Sequence, residues 1–127
     1  MNKHHLIIEA LPHVFSVCKV KDYSGNDLNQ SFVFTGATDE ENSLVCLSEN
    51  VPGNVIERDD GWKAMRIKGQ LDFSLIGILA KIASLLAAEK ISIFALSTFN
   101  TDYILTKEQD FEQALRILEN SGYQIMR

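Results

Sequence analysis

From Trp62 onward the apolar positions keep a readable rhythm. Trp62-Lys63-Ala64-Met65-Arg66-Ile67-Lys68 interleaves apolar and charged residues, which predicts a half-buried strand. After Gly69-Gln70-Leu71, apolar residues recur at Leu75, Ile78, Leu79, Ile82, Leu85 and Leu86, the spacing of one helical face. Asp72 is the favoured N-cap of that helix, Phe73–Glu89, with Ser74 as the alternative. Its other side carries Gly77, Lys81, Ser84 and Ala88, so the helix has more apolar surface than one sheet face requires. Ile91–Thr98 and Asp102–Thr106 read as the two strands of a hairpin. Thr106-Lys107-Glu108-Gln109 then fits a capping box, with Thr106 as N-cap and Gln109 at the third helical position. Phe111, Ala114, Leu115 and Leu118 form the inward stripe of this second helix, while Glu112, Gln113, Arg116 and Glu119 face water. Gly122 is a natural helix stop, and Tyr123–Met126 a last short strand. The predicted order is β-α-β-β-α-β, a ferredoxin-like α+β fold: an antiparallel four-stranded sheet with both helices on one face.

The first half follows the same plan with less in it. Val14–Val20, Ser31–Thr35 and Ser43–Ser48 are predicted strands. Between the first two, Asp22-Tyr23-Ser24-Gly25-Asn26-Asp27 is turn chemistry with no room for a full helix. Thr38-Asp39-Glu40-Glu41 is expected to make one helical turn capped by Thr38. Turns at Val51–Asn54 and Asp59–Gly61 mark the join. The predicted division is a helix-poor subdomain over 1–61 and a ferredoxin-like domain over 62–127.

Composition narrows the class. The chain has 127 residues, 46% hydrophobic and 23% charged, a globular balance. No apolar run approaches the roughly 20 residues of a membrane span; the longest candidate, Leu75–Ala88, is broken by Lys81 and Ser84. Glu9 interrupts the N-terminal apolar stretch before a secretory segment can form, so a soluble cytoplasmic protein is expected. Cys18 and Cys46 lie inside apolar runs and read as buried free thiols. Residues 1–61 hold 4 Lys and Arg against 10 Asp and Glu, and residues 62–127 hold 8 against 7. An acidic chain without a basic cluster gains little from counterion release, so no nucleic-acid partner is expected.

The constellations of catalysis are missing. His4, His5 and His13 are near the N-terminus, and no second cluster at metal-ligand spacing accompanies them. There is no nucleophile elbow, no phosphate-cradling loop and no dinucleotide fingerprint. No catalytic residue, metal ligand or cofactor is therefore assigned. An RNA-recognition module would need paired aromatics on its central strands, where this chain offers Ile93, Ala95 and Leu96, or Met65 and Ile67. A small hydrolase of the acylphosphatase kind would need an arginine in the loop after the first strand, and Gly69–Gly77 contains none.

Two polar segments remain. Asp72-Phe73-Ser74-Leu75 opens a helix whose first N–H groups lack intrahelical partners and can receive an anion. The helix dipole adds about 0.3–1 kcal/mol there, and charge-assisted hydrogen bonds about 1.5–3 kcal/mol each. A carboxylate on those amides and an ammonium on Asp72 or Asp102 would make an amino-acid site. The alternative is that Asp72 and Ser74 only cap the helix. The hairpin tip, Ser97-Thr98-Phe99-Asn100-Thr101-Asp102, carries more hydrogen-bonding capacity than a turn needs. It either lines a ligand or subunit boundary or satisfies its own backbone.

Leu71–Leu79 followed by Ile91–Leu105 resembles the small bacterial ACT-domain proteins and the ACT modules of the arginine-sensing CASTOR proteins. Residues 62–127 carry most of the resemblance. Phe15–Cys18 and Phe32–Thr35, leading to Leu44–Cys46, resemble the degenerate first repeat of a tandem ACT protein. The resemblance implies a non-enzymatic regulatory protein, assembled as a homodimer, binding an amino acid where modules meet. The implied ligand residues are Asp72, Phe73, Ser74, Leu75, Ile76 and Gly77 in the loop after the first strand, with Thr98, Phe99, Asn100, Thr101 and Asp102 at the tip. Gly77 matches the family's glycine near the helix start, where a side chain would obstruct a ligand or partner. A module for oligomerisation or interaction, without a ligand, is the alternative.

Overall fold

The computed structural model describes residues 6–68 and 77–127. Within them the elements run β1 (Ile7–Val20), β2 (Phe34–Ala37), β3 (Asn42–Leu47), a 3-10 turn (Ser48–Asn50), β4 (Val55–Lys68), α1 (Ile78–Ala88), β5 (Phe94–Ser97), β6 (Asp102–Lys107), α2 (Glu108–Asn120) and β7 (Gln124–Met126). The chain forms two compact units, one of residues 1–12 and 63–127, the other of residues 13–62. Strands β1 and β4 are long enough to contribute to both. The first twelve residues thus belong with the second half of the chain, whereas the sequence pattern divides it at 61.

The larger unit has the β-α-β-β-α-β order, from β4 through β7, and is an α+β ferredoxin-like fold. Met65, Ile67 and Ile104 on the strands, Ile82 and Leu86 on α1, and Phe111, Leu115 and Leu118 on α2 make one buried cluster. Both helices therefore cover the same sheet face. The sheet departs from the expected four antiparallel strands. The last strand, β7, pairs in parallel with the start of β1, Ile7 opposite Gln124 and Glu9 opposite Met126. Ile8 is fully buried in the cluster, so β1 adds a fifth strand to this unit. Leu6-Ile7-Ile8 supplies the apolar drive, and Pro12 and Glu9 disguise it by interrupting the run. Trp62, Ala64, Met65 and Ile67 are all buried, so β4 is covered on both faces here rather than half-buried.

Both helices end in the same hydrogen-bond pattern. On α2, Gly122 donates to Glu119 O and Tyr123 to Leu118 O, with Gly122 at φ +106°. On α1, Lys90 donates to Ala87 O and Ile91 to Leu86 O, with Lys90 at φ +62°. These are Schellman closures, one on the residue suited to left-handed backbone and one on a residue that is not. The start of α2 differs from expectation. Lys107 is the N-cap, with no side-chain cap bond, and Thr106 is buried with its hydroxyl donating to Lys107 O at 3.2 Å. The capping box does not form because the helix starts one residue later than expected, with Gln109 second in it and the Thr106 hydroxyl turned to Lys107 O.

The smaller unit holds, among the described residues, no α-helix. Strand β1 pairs with β3, Phe15 opposite Leu47 through Val20 opposite Asn42, and β2 pairs with β3, Phe34 opposite Val45. Cys18, Val20, Leu44 and Cys46 are buried together. Phe15 is buried as well and meets Phe32 edge-on at 6.1 Å between ring centroids. Thr38–Glu41 is a hairpin tip instead of a helical turn: Thr38 N–H donates to Glu41 O at 2.9 Å, and the Thr38 hydroxyl receives the Glu40 and Glu41 amides. Asp59-Asp60-Gly61 is likewise no turn but part of β4, where Gly61 takes φ +83°, a conformation that favours glycine.

Candidate functional site

Of the eleven residues expected to bind a ligand, Asp72, Phe73, Ser74, Leu75 and Ile76 lie outside the described residues. Gly77 stands at the start of α1 with φ +78°, and its carbonyl accepts Lys81 N–H at 2.9 Å. Among the described residues, a methyl group added to Gly77 would meet no atom within 4 Å. The demand for glycine here is conformational, since φ +78° is a backbone conformation that residues with a side chain rarely adopt.

The β5–β6 hairpin is closed by its own hydroxyls. Ser97 and Asp102 face each other in the ladder, and Ser97 Oγ donates to Asp102 Oδ1 at 2.5 Å. Thr98 N–H and Thr98 Oγ1 both donate to Thr101 O, at 2.8 and 3.2 Å, and Thr101 N–H returns a bond to Thr98 Oγ1 at 3.4 Å. Asn100 is exposed, and Phe99 is 86% exposed. Thr101 is buried, and its hydroxyl donates to Ile67 O on β4 at 2.8 Å.

That last bond fixes a position which the sequence pattern leaves open. Ile67 is one residue from the end of β4, where the chain departs toward residues 69–76. The polar tip and the exit of β4 therefore share one end of the sheet. Asp102, half-buried, has Oδ1 engaged by Ser97 on that same hairpin.

A second polar group on the larger unit escapes sequence reasoning. Arg66 Nε donates to Glu9 Oε1 at 2.9 Å and Arg66 Nη1 to the Tyr103 hydroxyl at 3.2 Å, with Lys68 Nζ 3.9 Å from the same Glu9 oxygen. The bond to Tyr103 raises the Arg66 pKa further, partial burial opposing it and Glu9 adding to it. These residues come from β1, β4 and β6, and no spacing along the chain announces the cluster. In the smaller unit Ser16, fully buried, donates to Asp60 Oδ1 at 2.5 Å and lies 2.8 Å from Ser48 Oγ. Arg58 holds the same Asp60 oxygen at 2.9 Å. Cys18 and Cys46 are free and buried. Burial pushes both thiols up, Cys46 to about 11 with the neighbouring Cys18 adding to the rise. Among the described residues no helix is long and apolar enough to cross a membrane.

Comparison with known proteins bears on this geometry. The family profile of the ACT domain matches residues 57–120, half of the chain. The cytosolic arginine sensor for mTORC1 subunit 1 of Homo sapiens is 42% identical over 59 residues, and that of Mus musculus 44% identical over 59 residues. The match takes 46% of this chain and 18% of each relative, so the chain spans less than a fifth of their length. Among solved structures, a protein from Agrobacterium tumefaciens superposes with a TM-score of 0.84 at 28% identity, over 95% of this chain and 92% of that one. A Vibrio cholerae protein of unknown function, described as a possible transport protein, gives 0.75 at 18% identity, over 94% and 91%. Aspartate kinase from Clostridium acetobutylicum gives 0.64 at 16% identity, over 91% of this chain and 33% of the enzyme. The last two likenesses concern the fold alone.

Proposed function

Because this chain belongs to the ACT-domain family, we propose that it is a non-enzymatic regulatory protein that binds an amino acid at the end of the larger sheet where β4 exits. The observation that carries this reading is the Thr101–Ile67 bond, which ties the Thr98–Asp102 tip to the last residues of β4. Asp102 supplies a carboxylate for an ammonium group, and a ligand carboxylate lies near Gly77 at the start of α1, where no described side chain crowds the backbone. Micromolar affinity requires about 8 kcal/mol, within reach of a few charge-assisted hydrogen bonds of about 1.5–3 kcal/mol each. The similarity to named arginine sensors supports an amino-acid ligand and a cytosolic setting. A homodimer is supported by the exposed side of α1, where Gly77, Lys81, Ser84 and Ala88 present small groups and little charge.

A thermal-shift screen of the twenty amino acids tests the reading, since a ligand at 100 times its dissociation constant adds about 2.7 kcal/mol. One amino acid is expected to raise the melting temperature, and Asp102→Ala is expected to remove that rise. A flat screen would instead favour an interaction module without a ligand. That second reading draws on the hydroxyls of Ser97, Thr98 and Thr101, which are already engaged inside the protein. Sedimentation at tens of micromolar should show a dimer.

A further inference from the structure

An open groove of about 370 Å³ lies in the larger unit, beside the end of the β1–β7 ladder. Beyond the Glu9–Met126 pair, β1 continues through Ala10, Leu11 and Pro12, which line the groove with Phe111 from the first turn of α2. Four charged side chains also line it. Three of them are neutralised locally. Arg127 Nη1 donates to both Glu112 oxygens, at 2.9 and 3.0 Å, and Glu9 is held by Arg66. The fourth is Lys63. Its ammonium stands 5.4 Å from the centroid of the Phe111 ring, and among the described residues no carboxylate lies within ion-pair distance of it.

The ammonium of a half-buried lysine beside an aromatic ring, with the neighbouring charges already matched, is complementary to one negative charge attached to an apolar body. We propose that this groove is a binding site for a monocarboxylate with a flat apolar body. The carboxylate takes Lys63 Nζ, and the body lies against Leu11, Pro12 and Phe111. Both acidic groups of the lining already have arginine partners, so an α-ammonium group would have to compete with Arg66 and Arg127 for them. The groove thus selects against zwitterions and is independent of the amino-acid site proposed at the other polar cluster.

The test is a titration of the full chain with phenylacetate, followed through backbone amide shifts in two-dimensional NMR. Saturable shifts are expected at Leu11, Lys63, Glu112 and Arg127, while neutral phenylacetamide binds at least about tenfold more weakly. Lys63→Met keeps an apolar stem over Phe111 and removes the charge; it should lose about the same factor, and Lys63→Arg should retain binding. Shifts that do not saturate, or that gather around Gly77 and the hairpin tip, would overturn the proposal. So would equal binding of acid and amide, a comparison on the unaltered chain that decides even if Lys63→Met fails to fold. Glycine and phenylalanine added as competitors should leave the phenylacetate shifts in place; displacement by either would merge the groove with the amino-acid site and end the claim of a separate specificity.

Discussion

Four consecutive strands underlie each unit, β1–β4 in the smaller and β4–β7 in the larger, where β1 adds a fifth, and only the larger has helices over its sheet. In the larger unit two helices bring Ile82, Leu86, Phe111, Leu115 and Leu118 onto the strands and bury them in one cluster. In the smaller unit the connection from β3 to β4 is residues 48–54, opened by the three-residue 3-10 turn Ser48–Asn50, and the buried cluster consists of Cys18, Val20, Leu44 and Cys46. The smaller unit makes up for this with local polar bonding. Asn54 Nδ2 donates to Asp22 O at 3.1 Å, and Gly25 lies so near Pro52 that a methyl there would come within 2.9 Å of its Cβ. The difference teaches that a sheet can dispense with its helices when close backbone approach and side-chain caps take over the loops. Cavity cost should then be lower where less is packed around each residue.

Matched core deletions put that contrast at risk most directly. Leu115→Ala, in the helix-covered cluster, should lower stability by about 3–5 kcal/mol; Leu44→Ala, equally buried in the smaller unit, by about 2–3 kcal/mol. Urea midpoints at unchanged m-value measure both, and equal losses would break the comparison. Next in size is Thr101→Val, which removes the partner of the Ile67 carbonyl and should cost about 1–3 kcal/mol. Amide exchange at Thr98 and Asp102 should quicken with it.

The helix ends sharpen the comparison within the larger unit. Lys90→Gly relieves left-handed backbone on a residue with a Cβ and should stabilise by about 1 kcal/mol, while Gly122→Ala imposes the same strain and should destabilise by about 1 kcal/mol. Opposite shifts in melting temperature are the expected result. The smallest effect is one of pH. The folded thiol of Cys46 sits at about 11, above its ordinary 9.0, so the folded chain holds that proton more tightly than the unfolded one. The associated stability is complete below about pH 9 and disappears as pH climbs toward about 11. Cys46→Ala should therefore show a shallower decline over that interval than the parent chain.

Much of this was readable from periodicity. The order of elements from β4 to β7, the buried stripe of Phe111, Ala114, Leu115 and Leu118, and the stop at Gly122 follow from local pattern, because each is decided within a few residues. Pairing across the whole chain is not decided locally. Ile7-Ile8-Glu9 is ambiguous until Gln124-Ile125-Met126 lies beside it. Asp59-Asp60-Gly61 has the composition of a turn, yet the ladder carries it straight through as strand. At the candidate site, hydroxyl-rich composition marked the hairpin tip. Its place beside the end of β4 depended on a single hydrogen bond between residues 34 positions apart. Lys63 gave no signal because an alternating strand assigns charged residues to water, and here the charge rests over an aromatic ring.

The parallel seam between Ile7–Glu9 and Gln124–Met126 has a consequence for biogenesis. A ribosome emits the first of these segments long before the second, so Ile8 must wait, solvent-exposed, while nearly the entire polypeptide is translated. Residues 13–62 have their strand partners to hand much earlier and can condense during synthesis. The larger unit is thereby locked last, by a junction of high sequence separation, which makes its closure the slower step of folding.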